Sequence, residues 1–197
     1  MPSVRIADSR RLAVTLLRGL CVVAVLGAAS CATITGSDPG ARTPGVIFDD
    51  QGIEWAAGGA IREASEALRG SQIRVTSFNG VVLLTGLVPE ASLKRAAQQA
   101  VEENVRKVRR IHNEIEVGPP VTNVSRINDR WLGTKVKTSL VASEEVDGDR
   151  VHVVTRDGVV YLMGLVSRAE GDSAADVARS VVGVQKVVKA FEYVDAG

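Results

Sequence analysis

The chain has little of what most enzymes depend on. Its 197 residues include two histidines and two cysteines, and aromatic residues make up 4% of the total. No His or Cys cluster offers metal-ligand spacing. No nucleophile stands with a base and an orienting group in any motif, so no catalytic residue, cofactor site or metal site is assigned. The formal net charge is +1, and a chain this neutral has no global field that draws it to nucleic acid or anionic lipid, so any such binding must come from a local patch. Long apolar runs are missing too: the stretch from Gly19 to Ala29 is shorter than the roughly 20 residues that span a bilayer. What is present is an ordinary globular composition, 45% hydrophobic and 24% charged.

The amino terminus departs from that average. Arg5, Arg10, Arg11 and Arg18 precede the apolar run, which ends in Ala28-Ala29-Ser30 before Cys31. A basic segment, a short apolar segment and a small-residue exit describe a secretory signal peptide over residues 1–30. The segment LGAASC resembles the lipobox of bacterial lipoproteins, which makes Cys31 the acylated first residue. Ordinary cleavage nearby, leaving a periplasmic protein with one free thiol, is the other reading. Cys21 departs with the signal, so Cys31 has no intramolecular partner, and this favours lipidation. Ala32 rather than Asp follows it, which in the lipoprotein pattern implies sorting to the outer membrane. Without residues 1–30 the chain holds 20 basic and 22 acidic residues, a net charge of −2.

Residues 31–50 are rich in Gly, Pro and Thr and read as a flexible tether with a reach of roughly 24 Å. Beyond it the chain repeats itself. NGVVLLTGLV (Asn79 to Val88) and DGVVYLMGLV (Asp157 to Val166) match at seven of ten positions, 78 residues apart. Asn-Gly and Asp-Gly are strong hairpin signals, because both central residues of a type I′ turn need positive φ. Each is preceded by an alternating strand and followed by a nearly continuous apolar run, the mark of a central strand. Gly86 and Gly164 hold matching places where a neighbour packs closely. Helical segments flank each hairpin, roughly Gly52 to Leu68 and Asp129 to Ala142 upstream, and VRKV (Val105 to Val108) matches VQKV (Val184 to Val187) downstream, now 79 apart. The expected class is α+β: two αββαβ units at 51–117 and 129–197, helices packed on a small three-stranded mixed sheet, joined by a linker at 118–128. So small a unit buries a marginal core alone, and the two copies are expected to pack together.

The αββαβ order, the [ND]-G-x-V-x-L-x-G-x-V hairpin and the late V-x-x-V resemble the BON domain family. With the signal peptide, Cys31 and the tether, they resemble its dual-BON outer-membrane lipoproteins. The second copy is the more specific match, through NDRWLGTKVKTSL, DGVVYLMGLV and ADVARSVVGVQKVVKAFEYV. The resemblance implies a non-enzymatic protein, anchored by lipid in the outer membrane and facing the periplasm. It implies binding of anionic phospholipid such as phosphatidylglycerol or cardiolipin, and support of envelope integrity, often at the division site. In that family the lipid contact is attributed to the first helix of the second unit.

On a helical wheel of that segment, Leu132, Val136 and Leu140 form the inner face, and Trp131 lies about 140° away. Arg130, Thr134, Lys135, Lys137 and Thr138 surround it or occupy the far side. An amphipathic ring beside cations suits a bilayer interface, and Arg130, Trp131, Thr134, Lys135, Lys137 and Thr138 are the expected phospholipid contacts. The alternative packs Trp131 against the first unit. Trp55, in a helix with Gly58-Gly59 and acidic neighbours, is expected to dock on the sister unit. Arg106, Lys107, Arg109 and Arg110 read as an exposed strand edge kept soluble by charge, or as a second surface. His112 and His152 read as packing or solvent-facing residues. A membrane-tethered adaptor, binding envelope-assembly proteins through sheet edges, is the rival function.

Overall fold

The computed structural model describes residues 42–118 and 124–194. The expected signal peptide, Cys31 and the tether up to residue 41 lie outside the described residues. The first repeat runs α1 (Pro44–Ala64), α2 (Glu66–Arg69), β1 (Arg74–Phe78), β2 (Val81–Val88), α3 (Ala91–Asn104) and β3 (Arg110–Val117). The second runs α4 (Val124–Val141), β4 (His152–Arg156), β5 (Val159–Met163), β6 (Leu165–Val166), α5 (Arg168–Ser180), β7 (Lys186–Lys189) and β8 (Glu192–Tyr193).

Two boundaries differ from expectation. The first helix begins at Pro44, inside the stretch read as tether. Proline at the first helical position costs no hydrogen bond, and the Thr43 hydroxyl accepts the Val46 N–H. Likewise α4 begins at Val124, inside the expected linker.

The hairpins form as the sequence dictates. Asn79 and Gly80 have φ of 53° and 75°, and Asp157 and Gly158 have 49° and 78°. In the first repeat β1 pairs antiparallel with β2, and β2 pairs parallel with β3. The second repeats this order through β4, β5 and β7. There Gly164 interrupts the central strand. The ladder resumes when Glu192 N–H donates to the Gly164 carbonyl at 2.9 Å and Val194 N–H to that of Val166 at 3.0 Å. A Cβ on Gly86 would stand 2.5 Å from the Gln72 carbonyl oxygen, and one on Gly164 would stand 2.7 Å from that of Arg150. The matching glycines thus mark the expected close approach.

Among the described residues three apolar clusters hold the fold. Ile53, Ala57 and Ile61 of α1 pack with Val82, Leu84 and Val88 of β2 and with α3. Leu132, Val136 and Leu140 of α4 pack with Val160, Leu162 and the α5 alanines. The third cluster joins the repeats: Phe78, Val81 and Leu83 meet Tyr161, Met163 and Ala190. Successive residues of β2 and β5 point to opposite faces, so each central strand has its helices on one side and the sister sheet on the other. The order of layers is helices, sheet, sheet, helices. The expected association of the copies is therefore a shared core.

Because the third cluster belongs to both repeats, they should unfold together. Urea denaturation followed by far-ultraviolet circular dichroism should give one transition. Leu83→Ala, which opens a cavity between the sheets, should lower stability by about 2–5 kcal/mol and keep the transition single. Two separated transitions in the parent protein would contradict the shared core.

Candidate functional site

The surface of α4 depends on how that helix is fixed to its sheet. Asp129 is buried, and its carboxylate accepts the backbone N–H groups of Asp157 at 2.9 Å and Gly158 at 3.2 Å. The first repeat does the same. There Asp50 accepts from Asn79 at 2.8 Å and Gly80 at 2.9 Å, and also from the Ser77 hydroxyl at 2.7 Å. A type I′ turn points two N–H groups away from its own ladder, and a carboxylate satisfies both at once. Each clamp pins a helix to the hairpin beneath it. Asp129 stands two residues before Trp131, so it sets which face of α4 meets solvent.

Sequence reasoning missed both clamps. Their signal was the repeat itself: Asp50 and Asp129 are 79 residues apart, the offset of VRKV and VQKV. Burial pushes the Asp50 carboxyl up, but its bonds from Gly80, Ser77 and Asn79 and the Arg42 guanidinium at 3.3 Å outweigh this and hold it below 3.8.

Clamped in this way, α4 buries Leu132, Val136 and Leu140 and leaves Trp131 65% exposed. Arg130 is exposed beside it. Thr134 and Thr138 are exposed, their hydroxyls donating back to the carbonyls of Arg130 at 3.1 Å and Thr134 at 3.0 Å. Lys135 donates to the Val182 carbonyl at 2.8 Å, across to the loop after α5. Lys137 turns inward: its ammonium donates to the carbonyls of Gly148 at 2.6 Å and Val151 at 3.0 Å. The helical wheel placed Lys137 on the far side, but a long stem lets the ammonium reach carbonyls beside β4. Arg130, Trp131, Thr134 and Thr138 therefore share one open surface, Lys135 borders it, and Lys137 supports it from below. Val182, 85% exposed and tied to Lys135, extends this surface and was not anticipated.

Elsewhere the expectations fare unevenly. Trp55 is 84% exposed and does not dock on the sister repeat; Phe48, also on α1, is 75% exposed. The inner face of α1 is already filled by Ile53, Ala57 and Ile61, which leaves Trp55 pointing outward. Of the basic cluster, Lys107 pairs with Asp49 at 2.9 Å, and Arg109 reaches across the repeats to Glu192. His152 lies 5.9 Å from the Phe78 ring across the repeats, and burial lowers its pKa. His112 is half-buried, with its pKa lowered by burial. No helix among the described residues is long and apolar enough to cross a membrane.

Comparison with known proteins gives the family. The family model for the BON domain matches residues 49–119 and 128–195. The chain is 34% identical over 175 residues to the outer membrane lipoprotein DolP of Haemophilus influenzae, covering 89% of each chain. It is 36% identical over 154 residues to a 21 kDa hemolysin of Actinobacillus pleuropneumoniae, covering 78% of each. Against the osmotically-inducible protein Y of Escherichia coli it is 28% identical over 146 residues, covering 73% of this chain and 72% of that one.

Two tests address the clamps. Asp50 is more acidic folded than unfolded, so its stabilisation is complete above the ordinary carboxyl pKa and is lost as pH falls through the folded value. Asp50→Asn should cost about 1–3 kcal/mol at pH 7, and the gap from the parent should narrow below pH 4 in pH-resolved urea titrations. Ser77 and Thr155 occupy matching strand positions, but the Thr155 hydroxyl is buried without a hydrogen-bond partner. Ser77→Ala should therefore cost about 1–2 kcal/mol and Thr155→Val less than about 0.5 kcal/mol in the same assay.

Proposed function

Because the chain belongs to the BON-domain family and carries two copies of its unit, we propose that it is an outer-membrane-anchored lipoprotein facing the periplasm that binds anionic phospholipid through its second copy. In this reading Cys31 carries the acyl anchor, phosphatidylglycerol or cardiolipin is the lipid, and the protein helps maintain the envelope, including at the division site. The named outer membrane lipoprotein among its relatives supports the location. The observation that carries the lipid reading is the exposed Trp131 beside Arg130, Thr134, Lys135 and Thr138 on the outer surface of α4.

The residues divide the work. Trp131 settles at headgroup depth, where an indole finds an apolar body and a wet edge. Arg130 and Lys135 meet lipid phosphates, each worth about 1 kcal/mol at an anionic surface. Thr134 and Thr138 keep the contacting face small, and their hydroxyls accept from headgroups. Lys137 holds the helix to the carbonyls beneath it, and its charge lies at the edge of the contact. Val182 adds an apolar point of entry beside Lys135.

A second reading, a membrane-tethered adaptor for envelope-assembly proteins, draws on Phe48 and Trp55, large apolar residues left open on α1. Partners that remain crosslinked to a variant unable to bind lipid would move this reading to first place.

The mature chain without its acyl groups should sediment with vesicles containing phosphatidylglycerol or cardiolipin at low salt and be released at high salt. Trp131→Glu should lower that binding at least tenfold, and Trp55→Ala should leave it unchanged. Vesicle binding untouched by Trp131→Glu would remove α4 as the lipid contact.

A further inference from the structure

A cleft of about 650 Å³ opens between the repeats on the side of β1 and β4, its walls including Arg74 and Thr76 from the first repeat and Arg130, His152 and Arg156 from the second. Three of these residues carry guanidinium groups. They arrive from three elements: the start of β1, the solvent side of α4, and the end of β4. The guanidinium groups of Arg74 and Arg130 make no hydrogen bond or ion pair with any described residue. That of Arg156 makes only long contacts, 3.4 Å to the Asp157 carboxylate and 3.3 Å to the Gln72 carbonyl.

Among the described residues the cleft also holds two carboxylates, and both are engaged. Asp129 accepts the two turn N–H groups, and Asp157 lies against Arg156. Its acid is therefore satisfied while most of its base is not. Like charges that line one cleft repel one another, and an anion with several acceptor oxygens relieves that repulsion. Planar forked donors match the oxygens of a phosphate ester, which accepts from several directions at once. The volume exceeds that of a phosphate alone and lies in the range of small-ligand sites.

We propose that this cleft is an anion site for a phosphate ester, formed jointly by Arg74, Arg130 and Arg156 and completed only when the two repeats are packed. Because Arg130 adjoins Trp131, the site takes the headgroup of a lipid whose bilayer Trp131 has entered; this source of the phosphate, and not the site itself, rests on the lipid reading above. A soluble phosphate ester presents the same oxygens.

The test compares the parent chain with Arg74→Gln, with Trp131→Ala, and with Arg95→Gln as an equal charge change outside the cleft. Arg74 lies on the first repeat, outside α4 altogether. Each protein is titrated with glycerol 1-phosphate, followed by amide shifts at Arg74 and Arg156 to Gly158, and with vesicles of phosphatidylglycerol or of phosphatidylcholine at one salt concentration. Arg74→Gln should weaken binding about tenfold, the loss of one charge-assisted contact, and Arg95→Gln less than twofold. If the tenfold loss falls on phosphatidylglycerol vesicles, the headgroup is the ligand. If it falls on glycerol 1-phosphate alone, the site stands and its ligand is soluble. If Arg74→Gln matches Arg95→Gln in both titrations, the site is overturned. In that case loss of vesicle binding in Trp131→Ala keeps the lipid reading of α4, and its persistence sinks that reading too.

Discussion

A three-stranded sheet with an apolar central strand needs two covers. In each repeat the helices cover one face, and the sister sheet covers the other. Val81 and Leu83 of β2, and Tyr161 and Met163 of β5, occupy those second faces and are buried only because the sheets meet. A fully buried side chain of this size is worth roughly 1.5–3 kcal/mol, comparable to much of what so small a unit retains on its own. The duplication is thus a condition of folding. It also fixes the surfaces. With the sheets back to back, the helical layers lie outermost on opposite sides, and the residues on their outer faces look in different directions.

The scaffold keeps its symmetry where packing demands it and loses it where solvent permits. Ile53, Ala57 and Ile61 stand 79 residues before Leu132, Val136 and Leu140, and all six are buried. The aspartate clamps keep the same offset. At the solvent face the same offset pairs Gly52 with Trp131, Ala56 with Lys135, and Glu103 with Val182. Glu54, whose carboxylate accepts the Ser77 N–H at 2.8 Å, is replaced by Gly133. That exchange removes a carboxylate from beside β4 and lets α4 approach closely: a Cβ on Gly133 would lie 2.9 Å from the Thr155 hydroxyl. Each change either removes an acid or adds an apolar or cationic group in the second repeat. The two copies share a fold and differ at these solvent positions of their first helices and of the loops beside them.

Most of the fold was legible because it depends on periodicity and turn chemistry, which are local. The paired hairpins, the double-sided central strands and the inward face of α4 all follow from spacing alone. The misses share a different cause: each turns on where one flexible or charged group goes once its neighbours are placed. Asp50 reads as the end of a tether and proves to be a buried acceptor for a turn 29 residues away. Lys137 reads as a solvent cation, yet its ammonium finds two carbonyls that no periodicity announces. Trp55 reads as a docking residue because its helix carries Gly58-Gly59 and acidic neighbours, and the structure leaves it exposed. The cleft between the repeats was not legible at all, since it joins β1 to β4 through a packing of sheets that no single stretch encodes.

The magnitudes decide how such a surface works. On the proposed reading, moving the exposed part of the Trp131 ring into an interface contributes roughly 2–4 kcal/mol, and Arg130 adds about 1 kcal/mol. A total near 4 kcal/mol corresponds to a dissociation constant of about 1 mM, too weak to hold a free protein on a membrane. A leash changes the reference state. When the chain is already held at the bilayer, the local concentration is itself about millimolar, and a contact of this strength is occupied about half the time. Occupancy near one half is where small changes act most strongly. One more charge-assisted bond in the cleft, or one more anionic lipid nearby, shifts the surface from mostly free to mostly engaged. A tighter helix would bind whatever lipid lay beneath it and lose that discrimination.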